Sequence, residues 1–239
     1  KPCITVCRPR AGCECGCQSV REALVEGIAR LQLQLEVGDA KAGCSGKCQA
    51  GPLLGFPQKG FFYLGVQPED VPDILYETIV RGRILFDLLS VNPERAYRED
   101  IYYERDSGFL AAIHDRICMV QVAKSFLDFE KGLSCGKCVP CRIGIQRTYE
   151  SMDRVVQGQG TLEDLEHIRS LCQAMTTLPH CEFAMTSSRP ALSAITNFED
   201  EFLAHIERRE CPAGVCPALV EYQRKQALKE RRKMAAKAK

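Results

Sequence analysis

The stretch SCGKCVPCR, residues 134–142, decides what kind of domain the second half of the chain forms. Its cysteines follow the spacing C-x2-C-x2-C, and a further cysteine lies in the later segment LPHCEF. Three thiolates that close together on one loop can hold three irons of a cubane, and a distant fourth can complete it. A zinc knuckle or unligated core cysteines are the alternatives, although zinc sites favour paired C-x2-C units. The pattern therefore predicts a 4Fe-4S cluster on Cys135, Cys138, Cys141 and Cys181.

The sequence around this stretch is helical in character. Apolar residues recur at helical spacing in four segments of similar length: residues 117–131, 142–158, 162–175 and 191–209. Thr161 and Asp164 form a capping-box pattern before the third segment. Four helices joined by short loops predict an all-α four-helix bundle over residues 117–210 that carries the 4Fe-4S cluster.

The first third of the chain has a different pattern. Residues 2–7 and 34–39 read as strands on either side of an amphipathic helix, and residues 52–66 give two apolar runs around a Pro-Gln-Lys-Gly turn. Residues 68–80 then read as a helix. This order predicts a thioredoxin-like α/β domain over residues 1–82, with an unrelated α+β domain as the alternative. Residues 83–116 are rich in charge, have few periodic signals and are predicted to be a connector.

Composition excludes several classes of protein. The 239 residues include 32 basic and 31 acidic side chains, so no net charge draws the chain to nucleic acid or to an anionic membrane. No apolar run approaches the roughly 18 to 20 residues of a membrane-spanning helix. The first apolar stretch is short and broken by cysteines and prolines, which predicts no secretory leader. Fifteen cysteines in tight groups then indicate a reduced, cytoplasmic metalloprotein rather than a disulfide framework.

A third cysteine group lies near the end of the chain, in HIERRECPAGVC at residues 205–216. Three thiolates and one imidazole are a common structural zinc set, and these spacings permit a site on Cys118, His205, Cys211 and Cys216. The alternative is a buried helical cysteine and an exposed loop pair. Residues 211–239 are thus predicted to be a zinc-binding loop and a basic tail. From residue 222 onward the tail has eight Lys and Arg against one Glu, which suits either solvent or an acidic partner.

These motifs resemble a known family. SCGKCVPCR, Cys181, FEDEFLAHI at 198–206 and CPAGVC at 211–216 resemble the C-terminal cluster domain of the flavin-bearing subunit of NADH dehydrogenases, NAD-linked formate dehydrogenases and bifurcating hydrogenases. The resemblance implies the 4Fe-4S ligands given above, zinc at the third cysteine group and a role in anaerobic metabolism.

The N-terminal module is similar to the thioredoxin-like 2Fe-2S ferredoxin domain of the same enzymes. GCSGKCQAGPLL at 43–54 matches the second ligand pair of that domain, which implies that Cys44 and Cys48 bind a 2Fe-2S cluster. The first pair falls in the crowded segment CITVCRPRAGCECGC, where Cys7 and Cys13 are the predicted ligands. Cys15 or Cys17 could replace Cys13, and Cys3 could replace Cys7.

No part of this sequence resembles the whole flavin and nicotinamide domain that the family has between its ferredoxin-like and cluster domains. Residues 106–116 resemble only its edge, and the connector stands where the domain would be. No phosphate-cradling glycine motif occurs, so the sequence predicts neither FMN nor NAD binding and no catalytic residue. The acidic residues Glu199, Asp200 and Glu201 are predicted to form a solvated helix face.

The resulting prediction is an iron-sulfur electron-transfer subunit of a multisubunit oxidoreductase of the NADH dehydrogenase, hydrogenase, formate dehydrogenase or related reductase type. Its partners would be a flavoprotein or ferredoxin-like subunit and a hydrogenase, dehydrogenase or reductase subunit, with no nucleic acid. The alternatives are an NADH-oxidising flavoprotein subunit with flavin at a shared interface, and a structural or sensory iron-sulfur scaffold.

Overall fold

The computed structural model describes most of the chain as two compact units, Lys1–Asp115 and Arg116–Lys239. The described residues are 2–8, 13–43, 51–90, 98–104, 108–177 and 181–237. Cys44 and Cys48, the predicted second ligand pair, lie outside them. The two units have a mixed α/β and a helical architecture respectively.

The first unit begins with the predicted β-α-β arrangement and hairpin. Its elements are β1 (Cys3–Cys7), α1 (Cys17–Arg30), β2 (Glu36–Gly43), β3 (Leu54–Phe56) and β4 (Phe61–Tyr63). Strand β1 pairs in parallel with β2 and antiparallel with β3, and β3 pairs antiparallel with β4. The predictions of two strands, a helix between them and a following hairpin are confirmed.

Burial explains why these segments pack as they do. Ile4 and Val6 alternate along β1 and are fully buried, as expected for a central strand covered by helices. Helix α1 turns its Val20 and Leu24 face inward. Gly27 continues that face, and a Cβ there would lie 2.5 Å from Leu75 Cδ1, so glycine permits the close packing of α1 on the following helical segment.

That segment is less regular than the single helix predicted for residues 68–80. It is a 3₁₀ turn (Pro68–Asp70), a short α2 (Val71–Asp73) and a π-helical stretch (Ile74–Val80). The apolar spacing continues from α2 into the π-helical stretch, where Val71, Ile74 and Leu75 face the core, whereas no residue of the 3₁₀ turn is buried. Hydrophobic periodicity therefore locates the segment but does not distinguish its helix types.

Residues 83–116, predicted as a connector, differ from that expectation. They include β5 (Leu89–Ser90), β6 (Ile101–Tyr103) and β7 (Leu110–Ala112). These strands extend the sheet to the order β5-β4-β3-β1-β2-β7-β6. Strands of two or three residues are too short to show an alternating pattern, which is why periodicity does not indicate them.

The second unit is built on helices. They are α3 (Met119–Leu133), α4 (Val139–Val156), α5 (Leu162–Thr177), α6 (Glu182–Ser187), α7 (Arg189–Asn197), α8 (Glu199–Leu203), a π-helical turn (Ala204–Arg208) and α9 (Pro217–Lys237). Helix α4 packs against α3 and α5, and α3 also packs against α7. The predicted capping box is confirmed: Thr161 Oγ1 accepts from Asp164 N at 3.1 Å, and Thr161 N donates to Asp164 Oδ2 at 3.0 Å.

The prediction of four long helices is wrong for the fourth. Residues 191–209 do not form one helix, because Phe198 leaves the helical conformation (φ −129°, ψ 32°) between α7 and α8. Ile195, Phe198 and Phe202 are nevertheless all buried, so the apolar spacing continues across the break. The unit therefore has four long helices, α3, α4, α5 and α9, but residues 191–209 are not one of them, and the predicted four-helix bundle over residues 117–210 is not confirmed. Within the described ranges, no helix is both long enough and apolar enough to span a bilayer.

Candidate metal centres

Four of the predicted ligands converge at one point in the second unit. The ligand atoms of Cys118, His205, Cys211 and Cys216, here called the four-ligand site, lie within 4.8 Å of one another and all four residues are buried. His205 Nε2 is 3.4 Å from Cys118 Sγ and 3.4 Å from Cys216 Sγ. The two sulfurs are 3.6 Å apart. A soft, tetrahedral donor set of this composition fits zinc.

Three separate elements position these ligands. Cys118 is the residue before α3, His205 lies in the π-helical turn, and Cys211 and Cys216 belong to the loop before α9. The imidazole is oriented by its other nitrogen, since His205 Nδ1 lies 2.7 Å from the backbone oxygen of Glu201. An Nδ1–H that donates to this carbonyl leaves Nε2 with its lone pair toward the sulfurs.

The electrostatics of the four-ligand site are strongly coupled. Hydrogen bonds from the Cys118 and Cys216 thiols lower the pKa of Cys211 far below that of an ordinary thiol. The same hydrogen bonding raises the pKa of Cys118. Burial alone would lower the pKa of His205, but its contacts with Cys118 and Cys211 outweigh burial and raise that pKa to about 10. Without an ion, the thiols and the imidazole thus hydrogen-bond to one another, and a divalent ion at this position would replace the shared protons.

Three of the four predicted cubane ligands line one open pocket, here called the cysteine pocket. It has a volume of about 590 Å³ and is lined in part by Cys135, Cys138 and Cys181. Cys141 is buried, and its pKa is raised first by burial and also by the three other thiols, which lie close enough to act on it. Cys135 and Cys181 are exposed. Three of the four predicted ligands thus line the same pocket, which is open to solvent, and Cys141 lies close enough for its pKa to respond to them.

Local structure explains the convergence. Gly136 adopts a left-handed conformation (φ +72°), which turns the loop between the first two cysteines. Cys138 immediately precedes α4, and Cys141 lies in the first turn of that helix, where the helix dipole favours negative charge. The Ser134 hydroxyl is 3.3 Å from Cys141 Sγ. Ser134 is absent from the predicted site residues, because no spacing rule identifies it.

The N-terminal cysteines are also grouped. The sulfurs of Cys7, Cys15 and Cys17 lie within 4.8 Å of one another, and Cys13 Sγ is 3.2 Å from Cys15 Sγ and 3.9 Å from Cys17 Sγ. Burial raises the pKa of Cys7 to about 11 and also raises that of Cys17. We call these four residues the N-terminal thiol group.

Cys3 lies apart from the N-terminal thiol group. It is at the opposite end of β1 from Cys7. The strand advances by four residues between Cys3 and Cys7, which places their Cα atoms about 13 Å apart. A single metal centre cannot therefore use Cys3 in place of Cys7 with the strand as it stands.

The acidic residues near the four-ligand site divide into two kinds. Glu199 and Asp200 are exposed, in agreement with the predicted solvated helix face. Glu201 does not belong to that face, because its Oε2 accepts a hydrogen bond from Met119 N at 3.0 Å beside the four-ligand site. Its position four residues before His205 on a helix is the signal in the sequence that points to this role.

The second unit is similar in sequence to known proteins. Residues 121–205 match the family described as "NADH-ubiquinone oxidoreductase-F iron-sulfur binding region". The chain is 43% identical over 116 residues to HndC, a subunit of the NADP-reducing hydrogenase of Solidesulfovibrio fructosivorans, and the match covers 48% of this chain and 24% of that protein. It is 36% identical over 106 residues to the F 2 subunit of the NADH-quinone oxidoreductase of Rhizobium meliloti, with 44% of this chain and 25% of that protein covered.

The chain also has a structural likeness to a thioredoxin-like 2Fe-2S ferredoxin from Aquifex aeolicus. The TM-score is 0.32 at 25% identity, and the likeness covers 39% of this chain and 93% of that one. The chain spans about a quarter of the length of the curated relatives it matches. Over about half of its own length the chain is similar in sequence to these hydrogenase and NADH-quinone oxidoreductase subunits, and residues 121–205 match the iron-sulfur binding region.

Proposed function

We propose that the chain is an iron-sulfur electron-transfer subunit of a multisubunit oxidoreductase and relays electrons between partner subunits without binding flavin or NAD itself. The observation that carries the proposal is the cysteine pocket. Three of the proposed ligand thiols line it, Cys141 lies close to it, and all four belong to the residues that match the iron-sulfur binding region.

The residues of the cysteine pocket suit a 4Fe-4S cluster. Cys135, Cys138, Cys141 and Cys181 would each hold one iron. A cluster bound there would supply one-electron transfer. Around it, the Ser134 hydroxyl, the N-terminus of α4 and the ammonium group of Lys137 stabilise negative charge. These groups favour the more negative, reduced state and therefore raise the reduction potential.

A redox partner could approach the cysteine pocket only from the side that is open to solvent. Cys141 is buried behind the pocket, whereas Cys135 and Cys181 are exposed at its mouth. Val139 is 59% exposed beside them, although an apolar side chain of that size is usually buried. A redox partner that docked over this mouth would approach the iron without displacing any core residue.

The first unit would hold a second centre. We propose a thioredoxin-like domain with a 2Fe-2S cluster on Cys7, Cys13, Cys44 and Cys48. The strand order β4-β3-β1-β2, with β1 and β2 parallel and the hairpin antiparallel, supports that fold. Cys7 at the end of β1 lies within 4.8 Å of Cys15 and Cys17, and Cys13 lies beside those two, so this geometry supports Cys7 as a ligand, and the substitutes Cys15 and Cys17 lie nearer to it than Cys13.

The four-ligand site would hold zinc in a structural role. Its ligands are at most 8% exposed, which leaves no open position for a substrate. The ion would fix the start of α3 to the π-helical turn and to the loop before α9. Zinc has no redox chemistry, so this site would brace the unit rather than carry electrons.

Partners supply the rest of the chemistry in this proposal. The relatives named above are subunits of an NADP-reducing hydrogenase and of an NADH-quinone oxidoreductase. By analogy, this chain would stand between a flavoprotein or ferredoxin-like subunit and a hydrogenase, dehydrogenase or reductase subunit in the cytoplasm.

The proposal is tested by metal analysis of the anaerobically purified full chain. We expect about six irons, six acid-labile sulfides and one zinc per chain, no flavin, and two electron paramagnetic resonance signals after reduction. Cys181→Ser should remove the 4Fe-4S signal. Cys172→Ala, which changes a fully buried cysteine of α5 outside the ligand sets, should keep it.

Two results would contradict the proposal. If the purified chain contained flavin in stoichiometric amount, the chain would instead be an NADH-oxidising flavoprotein subunit. Unchanged activity of the assembled complex after Cys181→Ser would instead favour a structural or sensory scaffold.

A further inference from the structure

The N-terminal thiol group contains more ligands than one half of a 2Fe-2S cluster needs. Such a cluster takes two thiolates on each iron, and Cys44 and Cys48 are the proposed pair for one of them. The other end has four candidates, and three of their sulfurs lie within 4.8 Å of one another. The fourth, Cys13 Sγ, is 3.2 Å and 3.9 Å from two of those three.

Two regular elements hold this group in place. Cys7 is the last residue of the central strand β1 and is 5% exposed. Its backbone N–H donates to Leu53 O at 3.1 Å. Cys17 is the first residue of α1 and is 2% exposed. Cys13 and Cys15 lie in the segment that enters the helix through the left-handed Gly16, so the four thiols are gathered by the fold itself.

The distances suit a single ion. Tetrahedral coordination with metal–sulfur bonds of about 2.3 Å places the sulfurs about 3.8 Å apart. Five of the six separations lie within about 1 Å of that value or inside the 4.8 Å limit. Cys7 and Cys13, the sixth pair, are outside that limit, and rotation of the Cys13 side chain toward Cys7 would close the site. The thiolates of a two-iron cluster must instead stand in two pairs at opposite ends.

The electrostatic surroundings favour an anionic tetrathiolate complex. The positive end of the α1 dipole is at Cys17, because that residue begins the helix. One turn further on, Arg21 Nη2 donates to Val6 O at 3.3 Å, immediately next to Cys7, and also pairs with Asp39. The guanidinium group thus lies beside the strand end that presents Cys7.

We propose that the N-terminal thiol group, Cys7, Cys13, Cys15 and Cys17, is a complete mononuclear site for one tetrahedral, thiophilic divalent ion such as Zn²⁺, and that it needs neither Cys44 nor Cys48. The inference goes beyond the electron-transfer function. The mononuclear site and the 2Fe-2S cluster exclude each other in one molecule because both use Cys7 and Cys13, so a chain that holds Zn²⁺ here would contain about four irons rather than six. They also differ chemically, since the mononuclear site requires no inorganic sulfide.

The test titrates the reduced, metal-depleted full chain with Co²⁺ under anaerobic conditions. Tetrahedral cobalt thiolates have intense visible and near-ultraviolet bands, so each variant is compared with the unaltered chain to subtract cobalt bound elsewhere. Cys44→Ser/Cys48→Ser should leave the cobalt stoichiometry unchanged. Cys15→Ser/Cys17→Ser should lower it by about one equivalent and remove the corresponding bands.

Two further variants control for folding and position. Cys15→Ser alone alters only a half-buried residue outside the helix, and it should weaken binding at this site at least about tenfold while the far-ultraviolet circular dichroism stays unchanged. Cys3→Ser changes another cysteine of the same strand and should have no effect on the titration.

The inference is overturned if Cys44→Ser/Cys48→Ser loses the same equivalent of cobalt, or if Cys15→Ser/Cys17→Ser retains it. The electron-transfer proposal is assessed separately by the iron and sulfide content of the anaerobically reconstituted, unaltered chain. Cobalt titration contains no sulfide, so either idea can fail without the other.

Discussion

Glu201 contributes to the four-ligand site through both its backbone and its side chain. Its carbonyl lies 2.7 Å from His205 Nδ1 and fixes the imidazole, while its carboxylate accepts a hydrogen bond from Met119 N, the residue after Cys118. One residue thus orients one ligand and anchors the neighbour of another. Outer partners of this kind affect metal affinity although they do not bind the ion.

We predict that Glu201→Ala weakens zinc binding about 10- to 100-fold, because the start of α3 loses its anchor while the four ligands remain. Competition with a chromophoric chelator on the full chain measures the change. Asp200→Ala is the matched control, since that carboxylate is adjacent but exposed, and its affinity should equal that of the unaltered chain. If both variants bound zinc with the same affinity, Glu201 would have no role in the four-ligand site.

Asp164 illustrates how one carboxylate can start a helix. It completes the capping box with Thr161 and pairs with Arg154. Burial by itself would raise its pKa, but the hydrogen bonds from Arg154 and Thr161 outweigh burial, and the pKa of Asp164 is lowered. A carboxyl whose pKa is lower in the folded state stabilises the fold above its unfolded pKa and loses that contribution as the pH falls.

Asp164→Ala is therefore expected to reduce the free energy of unfolding by about 1 to 2 kcal/mol at pH 7. The difference from the unaltered chain should begin to shrink as the pH falls below about 4, the ordinary pKa of an unfolded Asp, and should vanish once the pH is below the lowered pKa of the folded carboxyl. Urea unfolding at several pH values measures both effects. Glu163→Ala is the control: it removes an exposed neighbouring carboxylate and should change the free energy of unfolding little at any pH. If Asp164→Ala destabilised the chain equally at every pH, this explanation would be wrong.

At the level of whole elements, the end of α4 depends on one glycine. Gly158 follows the helix with φ +71°, and its N–H donates to Val155 O at 3.1 Å. A Cβ at this position would lie 2.5 Å from Leu219 Cδ2 in α9. The residue thus allows the chain to reverse and α9 to pack on the turn, two requirements that only glycine meets without strain.

Gly158→Ala should cost about 1 to 2 kcal/mol of stability from the left-handed backbone and the crowding of Leu219. Gly132→Ala provides an opposite control in α3, because a Cβ there meets no atom within 4 Å and the residue is helical. That change should stabilise the chain by about 0.4 to 1 kcal/mol. Chemical denaturation of both variants tests the pair, and similar effects of the same sign would contradict it.

An element of the fold could be predicted from the sequence only where its residue pattern is long enough to show a period or a spacing. The proximity of Cys135 and Cys138 in the cysteine pocket could be predicted, because their spacing on one loop alone brings them together. The break at Phe198 could not, since one non-helical residue leaves the apolar period intact. Nor could the strands of two or three residues, whose pairing partners lie far away in the chain. Among the N-terminal cysteines, spacing could not show which sulfurs the turn before α1 gathers.

At the scale of the whole molecule, both units have a buried apolar core, and the four-ligand site lies in the second of them. Unit Lys1–Asp115 has its own sheet, centred on the fully buried β1 residues Ile4 and Val6. In unit Arg116–Lys239, the four-ligand site joins Cys118 to three residues near the end of the chain. An ion bound only by the folded state at one hundred times its dissociation constant stabilises that state by about 2.7 kcal/mol.

Cys216→Ser should therefore lower the stability of the second unit by about 3 kcal/mol or more, because it leaves three ligands and a poorer donor for zinc. Differential scanning calorimetry of the full chain under reducing, anaerobic conditions should show one transition moved to lower temperature and the other unchanged. Val6→Ala, a core change in the first unit, should move the other transition instead. If both variants shift the same transition, the chain unfolds as one cooperative body and the zinc site braces the whole molecule rather than its second unit.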